Sequence, residues 1–257
     1  MMNYAIFLLV RLGSSRLPQK AMKEINNKPI ILYLINRLQK SKKTQNLVVC
    51  TTDKKTDEPL ISFLNEKNIK HFRGSEHDIL VRLRDAAIFF KTDFIVVVDG
   101  DDIYTDSHYV DKVIEEYEKT NADFITDDGF PHGFVPVGVT KNALEKICKL
   151  KVSNNTETGY REFFTQTNIF NCRYITPEKN MKFPKNLRLT LDYEEDYELA
   201  KKIFGSLGND FHLKDIITLF ENQPNLIKII NGVDKRWEKN FGNKMTDLSL
   251  KHTEARN

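Results

Sequence analysis

At 257 residues, with hydrophobic residues at 40% and charged residues at 29%, the chain has the make-up of a soluble globule with a substantial core. Its 39 basic and 36 acidic side chains leave a net charge of only +3, which argues against a general nucleic-acid surface but allows a local basic pocket. Cys50, Cys148 and Cys172 leave an odd count without metal-ligand spacing, as expected of buried, reduced thiols in a cytoplasmic protein; no apolar run approaches a membrane span and Met1-Met2-Asn3-Tyr4 lacks a signal peptide's basic start.

Along the chain, the continuous apolar run Ala5 to Val10 predicts a central parallel strand buried on both faces. Ile30, Ile31, Leu34, Ile35 and Leu38 form a helical stripe over Pro29 to Leu38, with Pro29 suited to the first turn. A strand over Asn46 to Thr51, a helix over Pro59 to Glu66 and a short strand over Ile69 to Phe72 follow. A long amphipathic helix is expected from Ser75 to Phe90, then the most apolar strand, Phe94 to Val98, running into Asp99-Gly100-Asp101-Asp102. Beyond it the pattern predicts helices over Ser107 to Lys119 and Lys141 to Leu150, and strands over Ala122 to Thr126, Ile169 to Cys172 and Leu187 to Leu191. Helices over Tyr193 to Phe204 and, last, His212 to Phe220 complete the expected set. Alternating strands and helices of these lengths imply an α/β fold, a doubly wound, mostly parallel sheet in three layers. The expected organisation is one domain over 1–241, with 127–185 an acceptor-binding or dimerisation section inside it, and a polar, frayed tail over 242–257.

The first strand empties into Leu9-Val10-Arg11-Leu12-Gly13-Ser14-Ser15-Arg16-Leu17-Pro18-Gln19-Lys20. Small residues let backbone N–H groups turn toward an anion, and Arg11, Arg16 and Lys20 are spaced to surround a polyphosphate. It is not the common P-loop, because Gly13 and Lys20 are too far apart and Gln19 stands where a second glycine would be. A solvated basic turn is the plain alternative.

The loop resembles the signature x-A-R-x-x-S-x-R-L-P-x-K of nucleotidyltransferases that activate sugars and sugar acids as CMP derivatives. The resemblance is nearest to the SpsF-like cytidylyltransferases of spore-coat polysaccharide synthesis, with CMP-KDO synthetases more distant. It continues through Asn27-Lys28-Pro29-Ile30, Phe72-Arg73-Gly74-Ser75, Asp99-Gly100-Asp101 and Leu187-Arg188-Leu189-Thr190-Leu191-Asp192, in family order.

The resemblance implies a GT-A-like nucleotidyltransferase fold and a nucleotide site built from Leu9, Val10, Arg11, Gly13, Ser14, Arg16, Lys20 and Asp101, with Arg73, Gly74, Ser75 and Asp78 as its second loop. It implies that Asp101 and Asp192 ligate Mg²⁺, that Lys20 and Arg16 act on the phosphates, and that two copies pair as a homodimer. Alone, Asp101 reads first as a structural cap in an acidic turn, ahead of a metal ligand, and Asp192 as the N-cap of an Asp-x-x-Glu capping box. Arg82, one turn past Asp78, would face the same way or simply pair with it. Asp99 and Asp102 stand where relatives usually lack acids, Gln19 where they carry Gly, and Phe163 near a His of many SpsF-like chains. The acceptor side has therefore changed more than the nucleotide side.

His71, His77, His108, His132, His212 and His252 show no zinc spacing; His132, beside Gly133, could touch an acceptor or be an idle loop residue. The expected activity is Mg²⁺-dependent transfer from CTP to a sugar, sugar acid or small phosphorylated acceptor, with pyrophosphate released. The rival is a GT-A glycosyltransferase with Asp99-Gly100-Asp101 as its metal motif, which has no need of a triphosphate loop. A regulatory nucleotide-binding protein that has lost catalysis is the third reading.

Overall fold

The computed structural model describes residues 2–245 and 247–251. In chain order the strands and helices are β1 (Tyr4–Leu9), the small hairpin β2 (Glu24–Ile25) and β3 (Lys28–Pro29), α1 (Ile30–Leu38), β4 (Leu47–Thr52), α2 (Glu58–Glu66), β5 (His71–Gly74), α3 (Ile79–Phe89) and β6 (Phe94–Asp99). They continue with α4 (Ser107–Thr120), β7 (Phe124–Asp127), β8 (Val137–Thr140), α5 (Lys141–Leu150), the single turn α6 (Glu162–Thr165), β9 (Cys172–Ile175), α7 (Glu194–Leu207), α8 (Leu213–Asn222) and α9 (Val233–Gly242).

Seven strands form one sheet in the order β5-β4-β1-β6-β8-β7-β9, parallel except for β8, which runs against both β6 and β7. Successive side chains of a strand leave on opposite faces, and β1 uses both. Ile6 and Leu8 pack with residues of α1 and α4, while Ala5, Phe7 and Leu9 pack with residues of α3 and α5. Each fully buried aliphatic or aromatic side chain contributes about 1.5–3 kcal/mol relative to exposure. That two-sided burial is why the run reads as unbroken apolar sequence. A third cluster joins Tyr33, Tyr104, Phe134 and the apolar faces of α7 and α8 to Val233 of α9.

The strand order reverses at β1, with β4 on one side and β6 on the other, in register Leu9↔Cys50 and Leu9↔Asp99. Open α/β sheets bind ligands beyond the strand ends at such a reversal. The loop after β1 and the Asp99–Asp102 turn after β6 therefore meet there. Gly100 is required for that meeting: a Cβ would lie 2.8 Å from the Leu9 carbonyl oxygen and from Val10 Cγ2.

Several expected boundaries shift. The helix expected from Ser75 begins at Ile79, because Ser75 Oγ accepts the Asp78 N–H at 3.2 Å and holds the chain in a turn that Asp78 then caps. The strand expected at Ile169 to Cys172 forms at Cys172–Ile175, after left-handed Asn168 (φ 57°). The segment Leu187 to Leu191 is extended but joins no ladder: Leu189 N–H donates to the His132 carbonyl at 2.7 Å and Leu191 N–H to that of Asp101 at 2.9 Å. Its alternation is real, since Leu187, Leu189 and Leu191 are buried in the third cluster. Residues past His212–Phe220 continue through a 3₁₀ segment (Pro224–Ile230) into α9, which the expected set lacks. The strand β8 is likewise additional. Of the tail, Leu248 and Leu250 pack against the β1–α3–α5 cluster rather than standing free, and residues 252–257, with His252, lie outside the described residues. Only Cys50 is fully buried, with its thiol pushed up to about 12; Cys148 and Cys172 are partly exposed.

Candidate active site

A cleft of about 520 Å³ opens over the C-terminal ends of β1 and β6. Its floor is a charged constellation drawn from three distant segments. Lys20 Nζ lies 2.5 Å from Asp101 Oδ2 and 3.2 Å from Asp192 Oδ1, and Arg16 Nη2 lies 2.6 Å from the same Asp192 oxygen. Arg188 Nη2 holds the other Asp192 oxygen at 2.9 Å. Burial works against the Lys20 ammonium, but Asp101 and Asp192 outweigh it and raise its pKa. Burial likewise opposes the Asp101 carboxylate, and Lys20 more than offsets it, so its pKa falls. Both groups are therefore charged at neutral pH.

Asp192 is not the helix cap that its spacing allowed. The N–H groups of Asp192 and Tyr193 both donate to Asp196 Oδ2, each at 2.9 Å, so Asp196 performs the capping. The Asp192 carboxylate is left to the cleft. Its place follows from the alternation of the preceding segment: leucines turn to the core while Thr190 and Asp192 line the opening. Gly133 makes this packing possible. At φ +83°, a Cβ there would sit 2.4 Å from Thr190 Cβ and 2.7 Å from Asp102 Oδ1.

The phosphate-type loop is held from beneath by Asp57, which sequence reasoning passed over. Asp57 accepts the Leu12 N–H at 2.8 Å, the Thr51 hydroxyl at 2.9 Å and both the N–H and hydroxyl of Thr52. Asp57 stands five residues past a strand ending Thr51-Thr52, with Asp53 nearer the strand and Glu58 beside it, so spacing alone does not single it out. Burial opposes its charge, but these donors win and lower its pKa. Asp57→Ala strands several buried donors and is expected to lower stability by about 3 kcal/mol at neutral pH. Because the folded pKa is depressed, that contribution is present above the ordinary carboxylate pKa and lost as pH falls through the folded one. Urea unfolding of both proteins at pH 7 and pH 3.5 checks it: the gap should narrow in acid.

Gln19 sits in the left-handed region (φ 53°, ψ 27°) and starts the 3₁₀ turn Lys20–Met22 that delivers Lys20 to the cleft. The chain thus keeps a backbone shape that glycine adopts freely, at a strain of about 1 kcal/mol. The loop closes through Gln19 N–H to the Leu12 carbonyl at 3.3 Å. Ser14 Oγ accepts the Leu17 N–H at 3.3 Å and Ser14 lines the cleft, whereas Gly13, where a Cβ would meet nothing within 4 Å, lies outside the cleft lining.

Of the other expected nucleotide residues, Leu9, Val10, Arg11, Ser14 and Asp101 line the cleft. Arg11 is paired there with Glu157. The second loop lies apart. Arg73 pairs with Glu58 at 2.6 Å and donates to the carbonyls of Thr52 and Lys54, while Gly74 and Ser75 adjoin it outside the cleft lining. Asp78 is buried against Lys151 and accepts from Thr156 Oγ1 at 3.0 Å, so its carboxylate is turned to these partners rather than to Arg82, the alternative that the spacing had left open. Arg82 lines the cleft, almost fully buried, with Nη1 donating to the Ser75 carbonyl at 3.2 Å and Nε without a hydrogen-bond partner among the described residues.

Asp99 and Asp102 form a second group with Arg161, whose Nη2 lies 2.7 Å from Asp99 Oδ2 and 3.9 Å from Asp102 Oδ2. Burial and the neighbouring acids raise both carboxyl pKa values, that of Asp102 furthest. Asp99 and Asp101 thus face different cations rather than one shared point. His132 lines the cleft too, its pKa pushed down to about 4 by burial and by Arg188 and Arg161. Its ring is open to water, which screens part of that effect, and the direction means a neutral imidazole. Trp237, Asn240, Phe241 and Lys244 of α9 and its end complete one wall, and none was foreseen. Their spacing of three and four residues was the available signal.

Residues 5–219 match a family model described as "Cytidylyltransferase". An uncharacterized protein of Methanocaldococcus jannaschii is 32% identical over 88% of this chain and 93% of its own length. The spore coat polysaccharide biosynthesis protein SpsF of Bacillus subtilis is 27% identical over 87% of this chain and 96% of its own. Among solved structures, a cytidylyltransferase from Leptospira borgpetersenii superposes with a TM-score of 0.79 at 28% identity, covering 88% of this chain and 97% of that one.

Proposed function

Because the chain belongs to the cytidylyltransferase family, we propose that it transfers CMP from CTP to a sugar, sugar acid or small phosphorylated acceptor and releases pyrophosphate. The observation that carries this reading is the convergence of Lys20, Arg16, Asp101 and Asp192 at the strand reversal. An acceptor oxygen attacks the α-phosphorus, the bond to the β-phosphate oxygen breaks, and the electron pair leaves with pyrophosphate. Charge builds on the α-phosphate and the departing group, so fixed cations that do not reorganise supply most of the acceleration. Lys20 has that role, while the more exposed Arg16 grips the outer phosphates.

The donor set also fits a hard divalent cation. Asp101 and Asp192 present two carboxylates to the cleft, the type of donor Mg²⁺ takes while keeping several waters, and Mg²⁺ would compete for their oxygens with the Lys20 ammonium that lies against them at 2.5 and 3.2 Å. When bound there, Mg²⁺ would offset negative charge on the α-phosphate. The relationship to SpsF supports a product that donates to a surface polysaccharide. The reading also includes a cytoplasmic homodimer joined through 127–185, where β9 is an edge strand and Tyr174 is exposed. No described helix is long and apolar enough to cross a membrane.

CTP with Mg²⁺ at about 100 times its Kd is expected to stabilise the fold by about 2.7 kcal/mol. Thermal denaturation with CTP, GTP, UTP and UDP-sugars, alongside a pyrophosphate-release assay, tests the proposal. A larger shift from a UDP-sugar, without pyrophosphate, would favour the glycosyltransferase; binding without turnover would favour a regulatory protein.

A further inference from the structure

The α9 wall lies outside the segment matched by the family model, and its chemistry is unlike the rest of the cleft. Val233 at the start of the helix is buried in the core, whereas Trp237, Asn240, Phe241 and Lys244, at i+4, i+7, i+8 and i+11, turn toward the opening. A helix that used this stripe only for packing would bury it. Here the Trp237 and Phe241 rings are stacked, 4.8 Å between centroids at 23°, and remain partly exposed to the cleft. The Trp237 ring packs on the third core cluster and lies 4.3 Å from the His132 ring, with the Arg188 guanidinium at 5.9 Å. Asn240 is fixed by its Nδ2 donating to the Tyr193 hydroxyl at 2.8 Å. The result is an aromatic shelf beside the charged floor of the cleft.

Position decides what the shelf serves. Arg188 touches Trp237 and also holds Asp192, so the shelf adjoins the Asp192 side of the constellation. Arg11 and Glu157 pair within the cleft, and the buried Arg82 beside them feels both charges together with Cys50 of β4 and Asp57. A nucleotide whose phosphates lie on the β1 loop has Arg82 and that β4 side for its remainder, which leaves the α9 side to the second substrate. A six-membered sugar ring carries C–H bonds on one face and hydroxyls on its rim; aromatic faces suit the first, and neighbouring polar groups such as Asn240 suit the second.

We propose that the Trp237–Phe241 shelf is the acceptor subsite and that it takes a pyranose ring, stacked by its apolar face. This rests on the cytidylyltransferase reading and names the class of acceptor within it. Trp237 is the chain's single tryptophan, so its emission reports the shelf directly.

The test uses the full chain with a panel of free pyranoses, pyranose 1-phosphates and cyclic ulosonic acids, read by pyrophosphate release, by emission and by calorimetric titration of CTP with Mg²⁺. The expected result is a change in emission on adding an accepted sugar but not on adding CTP alone. Trp237→Ala and Phe241→Ala should each raise the KM of that sugar at least tenfold, with the CTP Kd within twofold, and Trp237→Phe should restore most of the loss. Should Trp237→Ala fail to fold, Phe241→Ala and the wild-type emission decide. An unchanged sugar KM, an acyclic acceptor in place of a pyranose, or a weakened CTP Kd with quenching by CTP would overturn the subsite, the last making it a nucleobase shelf. Failure of the wild type to bind CTP and to release pyrophosphate with every sugar would instead remove the parent reading.

Discussion

Replacing Lys20 with alanine is expected to lower kcat and kcat/KM together, by about two to three orders of magnitude, while CTP affinity falls far less. The ammonium is held at 2.5 Å from Asp101 and 3.2 Å from Asp192, so it is charged and fixed before any substrate arrives. An interaction that strengthens as charge builds on the α-phosphate and pyrophosphate appears in both kinetic constants, whereas uniform binding appears in KM alone. Removing the ammonium also leaves Asp101 and Asp192 facing each other without the cation between them, which adds like-charge repulsion to the lost stabilisation. Arginine at this position keeps the charge but not the compact point geometry, and Lys20→Arg should recover only part of the rate. The comparison with Arg16→Ala is informative. Arg16 is more exposed, with its side chain 31% accessible against 13% for Lys20, and should act chiefly on the KM for CTP. Steady-state pyrophosphate release together with direct CTP titration separates the two. A Lys20→Ala enzyme that lost only CTP affinity would reduce the lysine to a binding residue.

The β1 and β6 side of the cleft was legible because its signals are local. An unbroken apolar strand, a small-residue loop with three cations and an acidic turn after the next strand are each contained in a few residues. The parallel order around β1 then follows from strand and helix alternation. The rest depends on contacts that sequence spacing does not carry. Leu187 to Leu191 has a strand's alternation, yet its N–H groups go to His132 and Asp101 in two loops. Asp78 looked like a partner for Arg82, one turn away, but a buried lysine 73 residues on takes it. Asp192 and Asp196 compete for one helix start, and a one-residue shift in the cap decides which acid serves the fold and which faces the cleft. The shelf on α9 escaped because Trp237 and Phe241 sit among charged residues in a helix of low apolar content.

Asp192→Asn is the substitution expected to cut deepest after Lys20, with turnover falling by at least about a hundredfold and the melting temperature falling as well. One Asp192 oxygen serves Arg16 and Lys20, and the other serves Arg188, so three cations depend on a carboxylate that is 3% exposed. The amide keeps the shape and one acceptor oxygen but not the charge. Three buried or half-buried cations would then share less negative charge, and a hard cation in the cleft would lose an anionic ligand. The Mg²⁺ concentration for half-maximal activity should therefore rise, an effect that purely structural damage does not produce. Asp196→Asn supplies the contrast, since Asp196 accepts the N–H groups of Asp192 and Tyr193 and pairs with Arg188 Nε at 3.1 Å without lining the cleft. It should lower stability while leaving the Mg²⁺ dependence of the folded enzyme unchanged. Normal turnover in Asp192→Asn with only a lower melting temperature would make Asp192 a structural acid. The cation site would then have to be sought among Asp99, Asp101 and Asp102.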